Sequence, residues 1–206
     1  MQIDEYEFSI TGVLKEGYYR SYGVKWIFMG AVALYYIIQI LMGLTIITLI
    51  PSLVQVVDQI IALITLPIGV GITILGINRA RKKEIRIPDI FNYFGAFPQL
   101  LLAYILMVLF IVLGFMLLVL PGIYLAVAYS FTLPLVADKG MPVWQAMELS
   151  RKTITKQWFK FFGLGIVAAL FLIISAIPFG IGLVWSIPTV YIAYGLLYHH
   201  LFDEED

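Results

Sequence analysis

Residues 90–137 read IFNYFGAFPQLLLAYILMVLFIVLGFMLLVLPGIYLAVAYSFTLPLVA, 48 positions without one charged side chain. As a single helix this run would be roughly 72 Å long, against a hydrocarbon core of about 30 Å. It has to fold back on itself. Pro121-Gly122 is the natural place for the turn, because proline lacks the amide donor and clashes with the preceding helical turn. Two further runs obey the same arithmetic: residues 161–202 carry no Lys, Arg, Asp or Glu, and residues 26–78 carry only Asp58. Three hairpins follow, at 26–77, 100–136 and 161–198, and the expected fold is an all-α bundle of six transmembrane helices forming one domain.

The basic residues set the expected orientation. All 13 Lys and Arg fall in three clusters, Lys15–Lys25, Arg79–Arg86 and Lys139–Lys160. A charge at the bilayer centre costs about 2.5–3.5 kcal/mol on insertion scales, and cytoplasmic loops collect Lys and Arg. With an even number of crossings all three clusters share one face, which makes both termini cytoplasmic. Composition agrees, since 62% hydrophobic residues is more apolar surface than a soluble domain of 206 residues would carry. The chain has no Cys, which excludes disulfides, thiol catalysis and Cys-ligated metal. Asp4, Glu5, Glu7 and Glu16 in the first 25 residues do not resemble the basic start of a cleavable signal, so the first span is expected to serve as an uncleaved anchor.

The prolines sort by position. Pro51, Pro121 and Pro178 mark three outer turns, Pro67, Pro134 and Pro188 lie inside the three returning spans, and Pro88, Pro98 and Pro142 lie on the inner surface. This spacing suggests a loose threefold repeat of inner segment, outward span, proline turn and kinked returning span. The inner segments 8–25, 79–99 and 138–160 read as amphipathic helices. In the last of them Val143, Met147, Ile154, Trp158 and Phe161 recur at helical spacing, and Gln145, Glu148, Lys152 and Lys156 point the other way. Such helices are expected to lie in the interfacial plane, rings among acyl chains and amines among headgroups. The tail 203–206 is purely acidic.

The stretch Leu120-Pro121-Gly122-Ile123-Tyr124-Leu125, then Pro134, Ala137-Asp138-Lys139-Gly140 and Trp144-Gln145-Ala146-Met147-Glu148-Leu149-Ser150 carries a resemblance. It resembles a set of uncharacterised bacterial inner-membrane proteins related to the membrane domain fused to some glycerophosphodiester phosphodiesterases. The resemblance covers mainly residues 100–202. It implies a polytopic α-helical protein of the bacterial inner membrane and says nothing of chemistry; the phosphodiesterase catalytic domain is a separate soluble barrel.

Membrane-embedded enzymes need ionisable residues within or at the ends of spans. Only His199 and His200, with Asp203 and Glu204 nearby, come close. As a metal site they would need further ligands, since adjacent helical residues point about 100° apart, and no Ser/His/Asp order, Gly-rich phosphate loop or paired intramembrane carboxylate is present. No enzyme, metal or cofactor is expected, and nothing points to nucleic acid. Two candidate regions remain. Arg79, Arg81, Lys82, Lys83 and Arg86, with Lys152, Lys156 and Lys160, would form a positive inner surface for anionic headgroups or a protein partner. Ser130, Thr132 and Pro134, with Ser186, Pro188 and Thr189, would form polar break points along a path between the returning spans. The expected role is a non-enzymatic lipid-contacting or partner-binding scaffold or accessory component, in contact with membrane lipids, a membrane-protein partner or a second copy. The alternative is a small transporter or channel for a neutral or lipid-like solute.

Overall fold

The computed structural model describes residues 8–49 and 56–203. Every regular element among them is helical: α1 Ile10–Arg20, α2 Lys25–Leu49, α3 Val57–Ile64, α4 Leu66–Ala80, α5 Phe97–Leu117, α6 Val119–Ala128, α7 Thr132–Lys139, α8 Val143–Thr155, α9 Trp158–Ala176 and α10 Leu183–Phe202, with 3-10 turns at Ile87–Phe91 and Phe94–Ala96. The turn expected at Pro51 and the tail beyond Asp203 lie outside the described residues.

Four stretches are long and apolar enough to cross a membrane: Lys25–Leu49, Ile87–Leu117, Val119–Lys139 and Trp158–Ala176. A fifth arises if α3 and α4, bent by 50° between them, count as one. Their outer faces bear Ile40, Leu44, Leu109, Leu113, Leu170 and Ile174, all exposed. Contiguous apolar surface on this scale is foreign to a water-soluble monomer. The bundle is therefore compatible with a multi-pass membrane protein. α10 has the length of a span but not the composition. The reason is its place: Ile192, Ala193, Leu197 and Tyr198 are buried against the other helices, as are Ile72, Ile74, Leu75 and Ile77 of α4.

α4 and α10 cross at backbone contact. A Cβ on Gly195 would sit 2.4 Å from the carbonyl of Gly76, and one on Gly76 would sit 2.2 Å from the Tyr191 carbonyl oxygen. Small residues let helix backbones approach this closely, which maximises dispersion contact where the hydrophobic effect is weak. α1 uses the same device on α10, where a Cβ on Gly17 would meet the Thr189 carbonyl oxygen at 2.6 Å. α1 thus packs onto the bundle, with Val13 and Gly17 buried.

Three expectations are corrected. The reversal between α5 and α6 occurs at Leu118, whose backbone is extended (φ −162°, ψ 153°); Pro121-Gly122 lies inside α6, where the missing proline amide in a first turn costs nothing. The stripe of α8 expected to face acyl chains is turned inward: Met147 and Ile154 are buried, together with Ala146, Ser150 and Thr153. Its apolar side is covered by α5, α6 and α7 instead of lipid. Finally, the proline-bearing returning segments are not alike. The α3–α4 bend falls at Thr65, just before Pro67, and the α6–α7 break falls at residues 129–131, just before Pro134, whereas Pro188 sits inside an unbroken α10.

A broken helix leaves backbone groups that must find partners inside the bundle. Ser150 of α8 serves the α6–α7 break, its Oγ donating to the Ala128 carbonyl (2.7 Å) and accepting from the Phe131 amide (3.2 Å). The Tyr194 hydroxyl of α10 donates to the Ser130 carbonyl. At the other bend Thr65 Oγ1 donates to the Ile61 carbonyl (2.8 Å) and accepts from Gln39 Nε2 of α2 (3.2 Å).

Candidate functional site

The ends of α4, α7 and α10 converge on a cluster of charges. α4 stops in a left-handed turn at Lys82 (φ 60°), with the Lys83 amide returning to the Asn78 carbonyl at 2.9 Å. That turn aims Arg81 across the bundle. Its guanidinium forks onto Asp138 (2.7 and 2.6 Å) and, on its other edge, onto Asp203 (2.7 and 2.9 Å). Asp138 also accepts from the Tyr198 hydroxyl at 3.0 Å. Asp203 meets Lys139 at 3.0 Å and His199 Nδ1 at 3.0 Å. The Arg81, Asp138 and Asp203 side chains are only 13–14% exposed.

This geometry explains the electrostatics. Hydrogen bonding to Asp138 raises Arg81 above the usual guanidinium range against the cost of burial, with Asp203 adding to the effect. Burial alone would raise the Asp203 carboxyl, but hydrogen bonds from Arg81, Lys139 and His199 outweigh it and hold it below the ordinary carboxylate range. Arg81 is thus engaged in a clamp between three helix ends, and Asp203 belongs to that clamp.

The other basic candidates divide. Arg79 Nε donates to the Arg20 carbonyl (2.9 Å), while Arg20 Nη1 donates to the Ala80 carbonyl (2.6 Å), so each arginine caps the other's helix end. Lys82, Lys83 and Arg86 are exposed, Arg86 beside Glu84 at 3.4 Å. Lys152 and Arg151 share Glu148, at 3.2 and 2.9 Å, and those bonds hold the Glu148 carboxyl down at about 2. Lys160 lies 6.0 Å from the Phe8 ring centroid, and Lys156 follows α8. These residues do not converge on one point. The exception is a polar cavity of about 430 Å³ at the charged end, walled by Glu16, Arg20, Arg81, Lys82, His199 and His200.

Two further cavities lie in the apolar body of the bundle. One, of about 500 Å³, is bounded by α2, α4, α5, α7 and α10, and four tyrosines, Tyr35, Tyr104, Tyr191 and Tyr194, contribute to its wall. The other, of about 310 Å³, lies between α6, α9 and α10 near Leu14 of α1. Ser130, Val190 and Tyr194 border both, so the hydrogen bond from Tyr194 to the Ser130 carbonyl stands between them. Of the expected path residues, Ser130 and Pro134 line the larger cavity. Thr132, Ser186 and Thr189 are buried in helix packing away from both walls, and Pro188 is buried with them. On α10 the lining starts at Val190, two residues beyond Pro188. The tyrosine stripe on α10, readable in the sequence as packing, supplies both packing and lining.

No family model, curated protein or solved structure matches this chain.

Proposed function

We propose that the protein is a non-enzymatic, six-pass component of the bacterial inner membrane, with both termini cytoplasmic, that holds a lipid molecule as part of a scaffold or accessory role. The observation that carries this reading is the cavity of about 500 Å³ in the apolar body, walled by aliphatic side chains and tyrosine rings. Such a lining favours hydrocarbon, with a few hydroxyls for orientation. Its described wall supplies no charged group for ion coupling, and Arg79, Arg81 and Lys139 gather where α4, α7 and α10 end, a level at which this reading places anionic headgroups. α10 counts as the sixth crossing because a helix enclosed by its neighbours needs no apolar outer face. The resemblance of residues 100–202 to uncharacterised inner-membrane proteins supports the location and carries no role.

Gly69 gives the direct test. It lines the cavity, and a Cβ added there meets only the Tyr35 hydroxyl, at 3.9 Å. Gly69→Leu should fill the space without disturbing the backbone, and the lipid retained by the purified protein, measured by native mass spectrometry, should fall at least several-fold at unchanged melting temperature. Equal lipid retention by the variant and the parent protein would exclude the cavity as the site. A second reading, a small transporter or channel for a neutral or lipid-like solute, is favoured by one feature: two cavities share a single tyrosine–carbonyl partition. In proteoliposomes Tyr194→Phe should then change solute or lipid flux, whereas a binding component would show none to change.

A further inference from the structure

From the polar cavity where α1, α4 and α10 end, we infer that this protein carries a dedicated site for one phosphate ester group, with Lys82 as its principal cation. The inference rests on the reading above only in placing these helix ends at the headgroup level of the membrane.

Among the described residues the cavity, about 430 Å³, has six ionisable side chains in its wall: Glu16, Arg20, Arg81, Lys82, His199 and His200. Most of their charge is already answered. Glu16 pairs with Arg20 at 2.5 Å. Arg81 pairs with Asp138 and Asp203, and Asp203 also meets Lys139 and His199. Among the described residues Lys82 has no carboxylate partner, and it stands exposed at the rim. Counted over the described residues, the wall and its partners therefore carry a positive charge at Lys82 beyond these pairs, in a recess where Arg20 is held by the Ala80 carbonyl and His199 by Asp203. Fixed donors and an uncompensated cation around a concave space are what an oxyanion requires.

The backbone at Lys82 points the same way. Its φ of 60° is the left-handed conformation that terminates α4, a position where glycine carries no Cβ penalty. Gly140 closes α7 with the same φ of 60°. A lysine in the equivalent place sets a charged side chain at the cavity rim at the expense of local strain, a pattern characteristic of functional positions.

Lys82→Gly separates the two contributions, since glycine suits the backbone and deletes the charge. The whole protein would be tested in two arms: in lipid-free detergent against inorganic phosphate and glycerol phosphate by calorimetric titration, and in phosphatidylcholine nanodiscs containing phosphatidylglycerol by native mass spectrometry. Binding in either arm, weakened at least tenfold by Lys82→Gly with the melting temperature unchanged or higher, is the expected result. Saturation by phosphatidylglycerol alone identifies a lipid headgroup, and saturation by the soluble anions identifies a free phosphate ester. Absence of binding in both arms, or binding within twofold of the parent protein in Lys82→Gly, overturns the inference. Gly69→Leu should leave this binding intact, so failure here and failure of the hydrocarbon cavity are separately visible.

Discussion

Arg81→Met is the most informative single change in the charged cluster. It removes the cation between Asp138 and Asp203 while keeping an unbranched apolar stem of similar reach. Breaking a buried pair by deleting one partner costs about 3–5 kcal/mol, because the remaining charge is left desolvated and unanswered. Here two carboxylates lose their shared partner, and side chains only 13–14% exposed give water little chance to screen them. For a chain of this size about 1 kcal/mol corresponds to about 2–4 °C in melting temperature, so the loss should be about 6–20 °C near neutral pH. The variant offers its own internal check. Without the guanidinium the two carboxyls repel, and protonating one relieves them, so the deficit should shrink as pH falls toward about 4. Asp138→Asn should cost less, since Arg81 keeps Asp203, and the Arg81→Met, Asp138→Asn double variant should be less destabilised than the two single losses combined. The assay is thermal unfolding in detergent, followed by helical circular dichroism across pH. A melting temperature for Arg81→Met within about 1 °C of the parent protein would refute the clamp.

Other changes probe other contacts. Gly195→Ala should lose about 2 kcal/mol or more, since its Cβ falls 2.4 Å from the Gly76 backbone and neither helix can yield cheaply; a stable variant in the same melts would show that the α4–α10 crossing is looser. Ser150→Ala, which strands the Ala128 carbonyl and the Phe131 amide at the α6–α7 break, should cost about 1–3 kcal/mol, whereas Ser9→Ala at the N-cap of α1 should cost about 1 kcal/mol. In the unaltered protein the depressed Asp203 carboxyl contributes stability that is fully present above its ordinary value of 3.8 and fades as pH drops below it. Glu148 behaves alike between 4.5 and about 2. Acid titration of unfolding should accordingly be flat on this account down to about pH 4.5 and steepen below it, and Asp203→Asn should flatten the acid limb.

Much of the helical layout was legible because it follows from chain length against membrane thickness. The uncharged run 90–137 did fold back, and residues 158–176 form one apolar helix ending before Pro178. What was illegible depended on partners remote in sequence. Arg81 looked like one more basic residue of a loop because Asp138 and Asp203 lie 57 and 122 positions away. Ser150 showed no sign of capping a break 19 to 22 positions earlier. Leu118 carries no turn signal at all, so sequence alone points to the proline and glycine that follow. The amphipathic stripe of α8 was correctly periodic, but periodicity does not say whether lipid or protein covers the apolar side. The same ambiguity hid the cavities: Tyr191 and Tyr194 at helical spacing read as packing, and only the absence of a large neighbour at Gly69 leaves space beside them.

The proposed topology puts the three basic clusters on one face of the membrane and residue 58 on the other. Because the chain has no Cys, single cysteines in Asp58→Cys and Lys83→Cys variants, both at exposed positions, can be labelled with an impermeant thiol reagent in intact spheroplasts. The thiol of the Asp58→Cys variant should react from outside, and that of the Lys83→Cys variant should react only after the membrane is opened. Labelling of the Lys83→Cys variant in intact spheroplasts, or equal labelling of the two variants, would contradict a six-pass protein with its basic residues on the cytoplasmic face.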